Sequence, residues 1–105
     1  GLAQIIQTVD VVKKRLNPKL AITGILPCRL DNRTNHGPEV VEKLRSRFPE
    51  TLRTCIRENI RLAECPSTGM PITTYAPNSP GAEDYRALAK EILAQEERQY
   101  DQAAN

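Results

Sequence analysis

Apolar residues open the chain at Leu2, Ile5, Ile6, Val9, Val12 and Leu16, at steps of three and four that draw one stripe along a helix. The pattern predicts a helix over 2–16, with Lys13, Lys14 and Arg15 in its last turn, where cations suit the macrodipole. Asn17-Pro18 ends it, because the residue before a proline is pushed out of the α region. A nearly continuous apolar run over 20–26 then reads as a strand covered on both faces, which Pro27 should stop, since proline cannot donate to a ladder. After a polar loop over 28–37, Pro38 suits a first helical turn, and Val40, Val41, Leu44 and Phe48 carry a second stripe to Pro49. Residues 52–56 form a second strand candidate. The stretch 56–72 that follows packs charges, turn-formers and two prolines into a non-repeating order, as ligand loops on α/β scaffolds do. Residues 71–76 should be extended and irregular. Ser79-Pro80 is an N-cap followed by proline at the first helical position, and Tyr85, Leu88, Ala89, Ile92 and Leu93 continue that helix to about 97. Beyond it the stripe is lost, and 98–105 reads as a flexible tail.

The order is therefore α-β-α-β-loop-α, which predicts an α/β fold with parallel strands and one domain unit over 1–97. Two strands and three helical stripes do not close a core of their own. Together with a start at Gly1 rather than Met, this suggests part of a larger sheet. With 39% hydrophobic and 27% charged residues the chain has the make-up of a globular protein, and no apolar run approaches the ~18 residues of a membrane span.

Charge changes the picture more than composition does. Residues 13–61 hold twelve Lys/Arg against five Asp/Glu, whereas 62–105 hold three against seven. A basic front suits a polyanion; the alternative is a set of solvated helix faces. Cys28, Cys55 and Cys65 make an odd count without CxxC spacing, which favours a reducing cytoplasm and small buried thiols over a disulfide framework. With His36 the only histidine, a Cys/His zinc site has little to draw on.

Signals for catalysis are sparse. No glycine is followed by lysine in a phosphate-binding loop, and a hydrolase triad has no support. The acid pairs Glu83-Asp84 and Glu96-Glu97 read as solvated helix surface.

Gly1-Leu2-Ala3-Gln4, Asp31-Asn32-Arg33-Thr34-Asn35, the run from Glu58-Asn59-Ile60-Arg61-Leu62 through Cys65-Pro66-Ser67 to Pro71-Ile72, and Gly81-Ala82 with Tyr85-Arg86-Ala87-Leu88-Ala89-Lys90-Glu91 together resemble the C-terminal part of ParA/Soj-type partition ATPases. The resemblance spans roughly residues 1–93. It implies a deviant Walker P-loop NTPase-like three-layer fold. It also implies a weak ATPase that uses ATP and Mg2+, dimerises, binds DNA non-specifically to segregate chromosomes or plasmids, and meets a ParB-type partner, in the cytoplasm at the nucleoid. Carried over by position, Arg33 and Arg61 match DNA-contacting arginines. Cys28 and the segment Ile56, Arg57, Glu58 and Asn59 match the places that hold adenine. Two departures stand out: Pro27-Cys28 replaces a frequent Leu-Thr pair, and Arg57-Glu58 replaces a Pro-Arg pair. Base contacts from backbone groups would survive these changes, whereas side-chain contacts would not.

On the residues alone, Arg33 and Arg61 have another reading as surface ion pairs with Asp31, Glu58 or Glu64, worth ~0–1 kcal/mol each. Asn59 has another as a turn-former bonding its own backbone. The phosphate-binding loop of such ATPases precedes the region resembled here, so residues 1–105 alone should not turn over ATP. Alternatives to the partition ATPase are a non-catalytic DNA- or partner-binding paralogue, or another deviant-Walker protein of MinD-like or cobyrinate-amidating type. The acidic polar face over 82–97 argues against a MinD-like membrane helix.

Overall fold

The computed structural model describes residues 1–30 and 36–104. Helix α1 (Leu2–Arg15), strand β1 (Cys28–Leu30), helix α2 (His36–Arg47), strand β2 (Ile56–Arg57), helices α3 (Ile60–Glu64) and α4 (Ile72–Tyr75), and helix α5 (Pro80–Ala104) follow one another, with a 3₁₀ turn at Cys65–Thr68 between α3 and α4. β1 and β2 pair in parallel, so the mixed α/β character expected from the alternation is present.

The strands form later in the chain than the apolar runs predict. Residues 20–24 carry no ladder, and the first pairing is a single parallel bridge between Ile25 and Thr51. Pairing then continues past Pro27. Proline lacks an N–H but keeps its carbonyl, which accepts the Ile56 N–H at 2.9 Å. Cys28 stands opposite Ile56 and Leu30 opposite Arg57, leaving Arg29 as the extra residue of a bulge with φ +60°, in the left-handed region that a side chain resists. The second strand also begins later than the 52–56 run, because the amides of Arg53 and Thr54 are held by a carboxylate from α5 instead of by a strand.

α5 starts where Ser79-Pro80 predicts. Ser79 Oγ accepts the Ala82 N–H at 3.1 Å and donates to the Ala76 carbonyl at 2.7 Å. The helix then runs on to Ala104, through residues read from the sequence as a tail. Arg98, Gln99, Gln102, Ala103 and Ala104 are strong helix formers, so local propensity carries the helix past the end of its apolar stripe. The 71–76 segment also differs from expectation, since after an extended Pro71 it makes the short helix α4.

The buried apolar residues among those described are Val41 of α2, Leu52 ahead of β2, Ile56 of β2, Ile72 of α4 and Ala82 of α5. α1 contributes none of them; Ile5 and Val11 lie exposed along it and Leu16 is exposed just past its end. The cysteines are less enclosed than expected of small buried thiols: Cys28 is exposed, and Cys55 and Cys65 are half-buried. No helix among the described residues is long and apolar enough to cross a membrane.

Candidate functional site

The stretch after β2 is a built structure. Asn59 is extended at φ −150° and caps α3, its carbonyl accepting the Leu62 N–H at 3.1 Å and the Ala63 N–H at 3.3 Å. In the 3₁₀ turn, Cys65 Sγ donates to the Met70 carbonyl at 2.9 Å, and Thr68 Oγ1 bridges the Cys65 carbonyl and the Met70 N–H. Gly69 ends this turn at φ +69°, a conformation that glycine adopts without penalty. Tyr75 Oη then donates to Glu64 Oε2 at 2.9 Å and joins α4 to α3.

Between these elements and the start of α5 lies an open groove of about 610 Å³. Asn59, Ile60 and Arg61 form one wall, and Tyr75, Asn78, Ser79 and Pro80 lie along the other. Leu62 seats α3 directly against α5, so close to Gly81 that a Cβ there would fall 2.5 Å from Leu62 Cγ. The far wall is fixed by Arg86, whose Nη1 donates to the Pro77 carbonyl at 2.8 Å. Two features make the near wall chemically able. Asn59 Oδ1 is buried and, among the described residues, accepts no hydrogen bond, so it is a free acceptor where a polar group would ordinarily be satisfied. The Arg61 guanidinium is about half exposed and pairs with Glu64 at 3.4 Å. An exposed pair of that length is weak enough to yield to an incoming anion.

The residues singled out from the sequence separate into two groups. Cys28 and Ile56 lie side by side as register partners, Cys28 exposed and the Ile56 side chain buried, and the Ile56 N–H is already bonded to the Pro27 carbonyl. Arg57 is committed elsewhere: its guanidinium and its backbone N–H all bind Asp84. Glu58 is exposed and faces Arg29 at 3.8 Å. Asn59 and Arg61 belong together in the groove. Arg33 lies outside the described residues.

Sequence reasoning missed the partners that hold this region. Glu83 is exposed as expected, but Asp84, read as the other half of a solvated pair, is buried at 9% exposure and grips Arg57. Glu91 Oε1 and Oε2 each accept a backbone N–H, from Thr54 and Arg53, at 2.8 Å. Burial pushes the Glu91 carboxyl up, but the hydrogen bonds from Thr54 and Arg53 and the nearby Arg53 charge outweigh it and hold it below the ordinary glutamate value. The signal available in the sequence was spacing, for Asp84 and Glu91 are seven residues apart and share a helix face. Burial raises the Cys55 thiol, with Arg45 opposing it in part, which makes it a poor nucleophile. No cluster of His, Cys, Asp and Glu suited to a metal ion occurs among the described residues.

No family model matches this chain. Relatives align with it over nearly its whole length. The sporulation initiation inhibitor protein Soj of Bacillus subtilis is 47% identical over 95 residues, which cover 90% of this chain and 38% of that protein. The chromosome-partitioning ATPase Soj of Thermus thermophilus is 44% identical over 95 residues, covering 90% and 38%. The chromosome partitioning protein ParA of Myxococcus xanthus is 43% identical over 94 residues, covering 89% and 33%. The chain belongs to the ParA/Soj family. It spans little more than a third of the length of these relatives. Within this ParA/Soj sequence, the near wall of the groove, Asn59 to Arg61, belongs to the 58–72 run that carries the resemblance, and the far wall is built by residues 75–80 outside it.

Proposed function

We propose that the chain is the C-terminal part of a ParA/Soj-type partition ATPase with a deviant Walker P-loop NTPase-like three-layer fold. The whole protein would bind ATP with Mg2+, dimerise, bind DNA without sequence preference and meet a ParB-type partner at the nucleoid. The observation that carries this reading is the 43–47% identity to Soj and ParA proteins over nine-tenths of the chain. The placement of Arg61 and Asn59 just beyond the carboxyl end of a parallel strand supports it, since that is where open α/β sheets bind ligands.

Two tasks fall to residues of this chain. Arg61, half exposed at the groove, offers a guanidinium to a phosphate backbone, a contact that positions a protein without reading bases. Asn59 carries an amide of the type a purine edge needs; its buried, unpartnered Oδ1 would turn toward the groove to meet an exocyclic amine, since the two β2 backbone N–H groups are already bonded to Pro27 and Asp84. Bound ATP would supply the hydrolysable phosphates. The sequence contains no glycine-lysine loop to hold them, so residues 1–105 provide base and DNA contacts but no phosphoryl chemistry.

A DNA-binding titration of the full-length ATP-bound protein tests this. Arg61→Ala is expected to weaken binding to all duplexes alike and to flatten the log–log salt dependence by about 0.9 per lost phosphate contact; Arg33→Ala should do the same. Unchanged affinity at low salt refutes the assignment.

A non-cycling paralogue that binds DNA or a partner is the second reading. It is favoured by Arg57-Glu58, where the family's Pro-Arg pair is absent, Arg57 is bound to Asp84, and Glu58 presents a negative charge beside the expected base edge. Steady-state ATP hydrolysis by the full-length protein separates the two.

A further inference from the structure

We propose that Arg57 and Asp84 form a positioning latch that sets the path of the chain between β2 and α3 and thereby aims Arg61. The proposal rests on the reading of Arg61 as a DNA contact. Arg57 donates its backbone N–H to Asp84 Oδ2 at 2.9 Å, its Nε to the same oxygen at 3.0 Å and its Nη2 to Oδ1 at 2.9 Å. Nη2 also reaches the Pro80 carbonyl at 3.3 Å and Glu83 at 3.5 Å. Backbone and side chain of one residue are thus clamped by one carboxylate. Asp84 is in turn fixed on α5, its side chain only 12% exposed.

The geometry gives the clamp leverage. Arg57 is the last residue of β2, Asn59 caps α3 two residues later, and Arg61 stands in the first turn of α3. α3 is one and a half turns long and depends on its neighbours for its position. Among the described residues, the Leu62–Gly81 contact ties α3 to α5 directly, and the latch ties to α5 the strand end that leads into it, before the helix begins. A fork–fork arginine–carboxylate pair fixes orientation as well as distance. Neither Arg57 nor Asp84 is among the residues lining the groove, so both act through Arg61 and Asn59.

The charge change in Asp84→Asn makes the test decisive. Removing a negative charge near a polyanion should tighten DNA binding if field alone mattered. A broken latch weakens it instead. In the full-length, ATP-bound protein, fluorescence anisotropy with a labelled duplex is expected to show Asp84→Asn weakening binding roughly tenfold. The double variant with Arg61→Ala should bind no more weakly than Arg61→Ala alone, and Asp84→Glu should recover part of the loss. Thermal melting followed by circular dichroism checks that each variant folds. Should Asp84→Asn not fold, Arg57→Lys keeps the charge and the backbone bond, removes the fork, and is expected to weaken binding several-fold. Equal or tighter binding by the folded Asp84→Asn variant, with Arg61→Ala still impaired, overturns the latch. No effect of Arg61→Ala itself overturns the DNA role of Arg61, and the latch with it.

Discussion

Gly81 and Leu62 show how one missing side chain sets the groove. Any Cβ at Gly81 would meet three carbons of Leu62 at 2.5–2.9 Å, so α3 sits against α5 only because that position is bare. Gly81→Ala gains up to ~1 kcal/mol of helix propensity but must displace α3, and overpacking of this kind costs ~1–3 kcal/mol. The expected result is a lower melting temperature for Gly81→Ala in the full-length protein, with part of the loss recovered by adding Leu62→Ala. A thermally neutral Gly81→Ala would mean that α3 moves freely. The glycine could be read in the sequence as a residue, but not as a contact. Its partner lies nineteen positions earlier, and nothing in local pattern joins them. The same holds for Asp84. Beside Glu83 it looks like one of two solvated acids, and only the approach of Arg57 across the fold gives it a different environment.

At the scale of elements, α5 acts as the backbone partner that β2 lacks on one side. Asp84 takes the Arg57 amide, and Glu91, two turns on, takes those of Arg53 and Thr54. A helix face carrying carboxylates at seven-residue spacing thereby holds donors that a further strand would otherwise take. This has a pH signature. The Glu91 carboxyl is held below its ordinary value in the folded chain, so the unfolded state binds the proton more readily. Its contribution is complete above the ordinary glutamate value of about 4.3 and is lost as pH falls through the lower, folded value. Glu91→Gln should therefore remove part of the acid dependence of stability below about pH 4.5, measured by denaturant unfolding across pH, while shifting stability little in slope above pH 6. An unchanged acid limb in the variant would contradict this. The helices α1, α2 and α5 were legible from their stripes and prolines, because helical hydrogen bonds close within the segment. The strands were displaced from their apolar runs because a strand exists only where a partner pairs with it, and here the partner begins at Ile25 and extends past Pro27.

The whole molecule is expanded for its size. Its surface of 8303 Å² compares with about 5,900 Å² for a compact protein of this mass, and its radius of gyration of 16.3 Å with about 13 Å. Exposed apolar side chains include Ile5 and Val11 on α1, which has no buried residue, and Leu93 and Tyr100 on the later part of α5. A preparation limited to residues 1–105 is accordingly expected to self-associate or to melt without a sharp transition, as read by light scattering and calorimetry. A monodisperse monomer with a cooperative transition would show that this surface needs no cover.

The sequence by itself determined the alternation of helices and strands, the Ser79-Pro80 start of α5, and a motif run specific enough to place the chain among ParA/Soj proteins. Each of these depends on residues close together in the chain, where spacing, capping and proline geometry act directly. Only the tertiary structure decided where the strands pair, that Arg57 binds Asp84, and that Asn59 and Arg61 share a groove with Tyr75 and Asn78. Those are meetings between distant residues. Their energies come from burial and from charge-assisted hydrogen bonds, which depend on positions in space that no local pattern encodes.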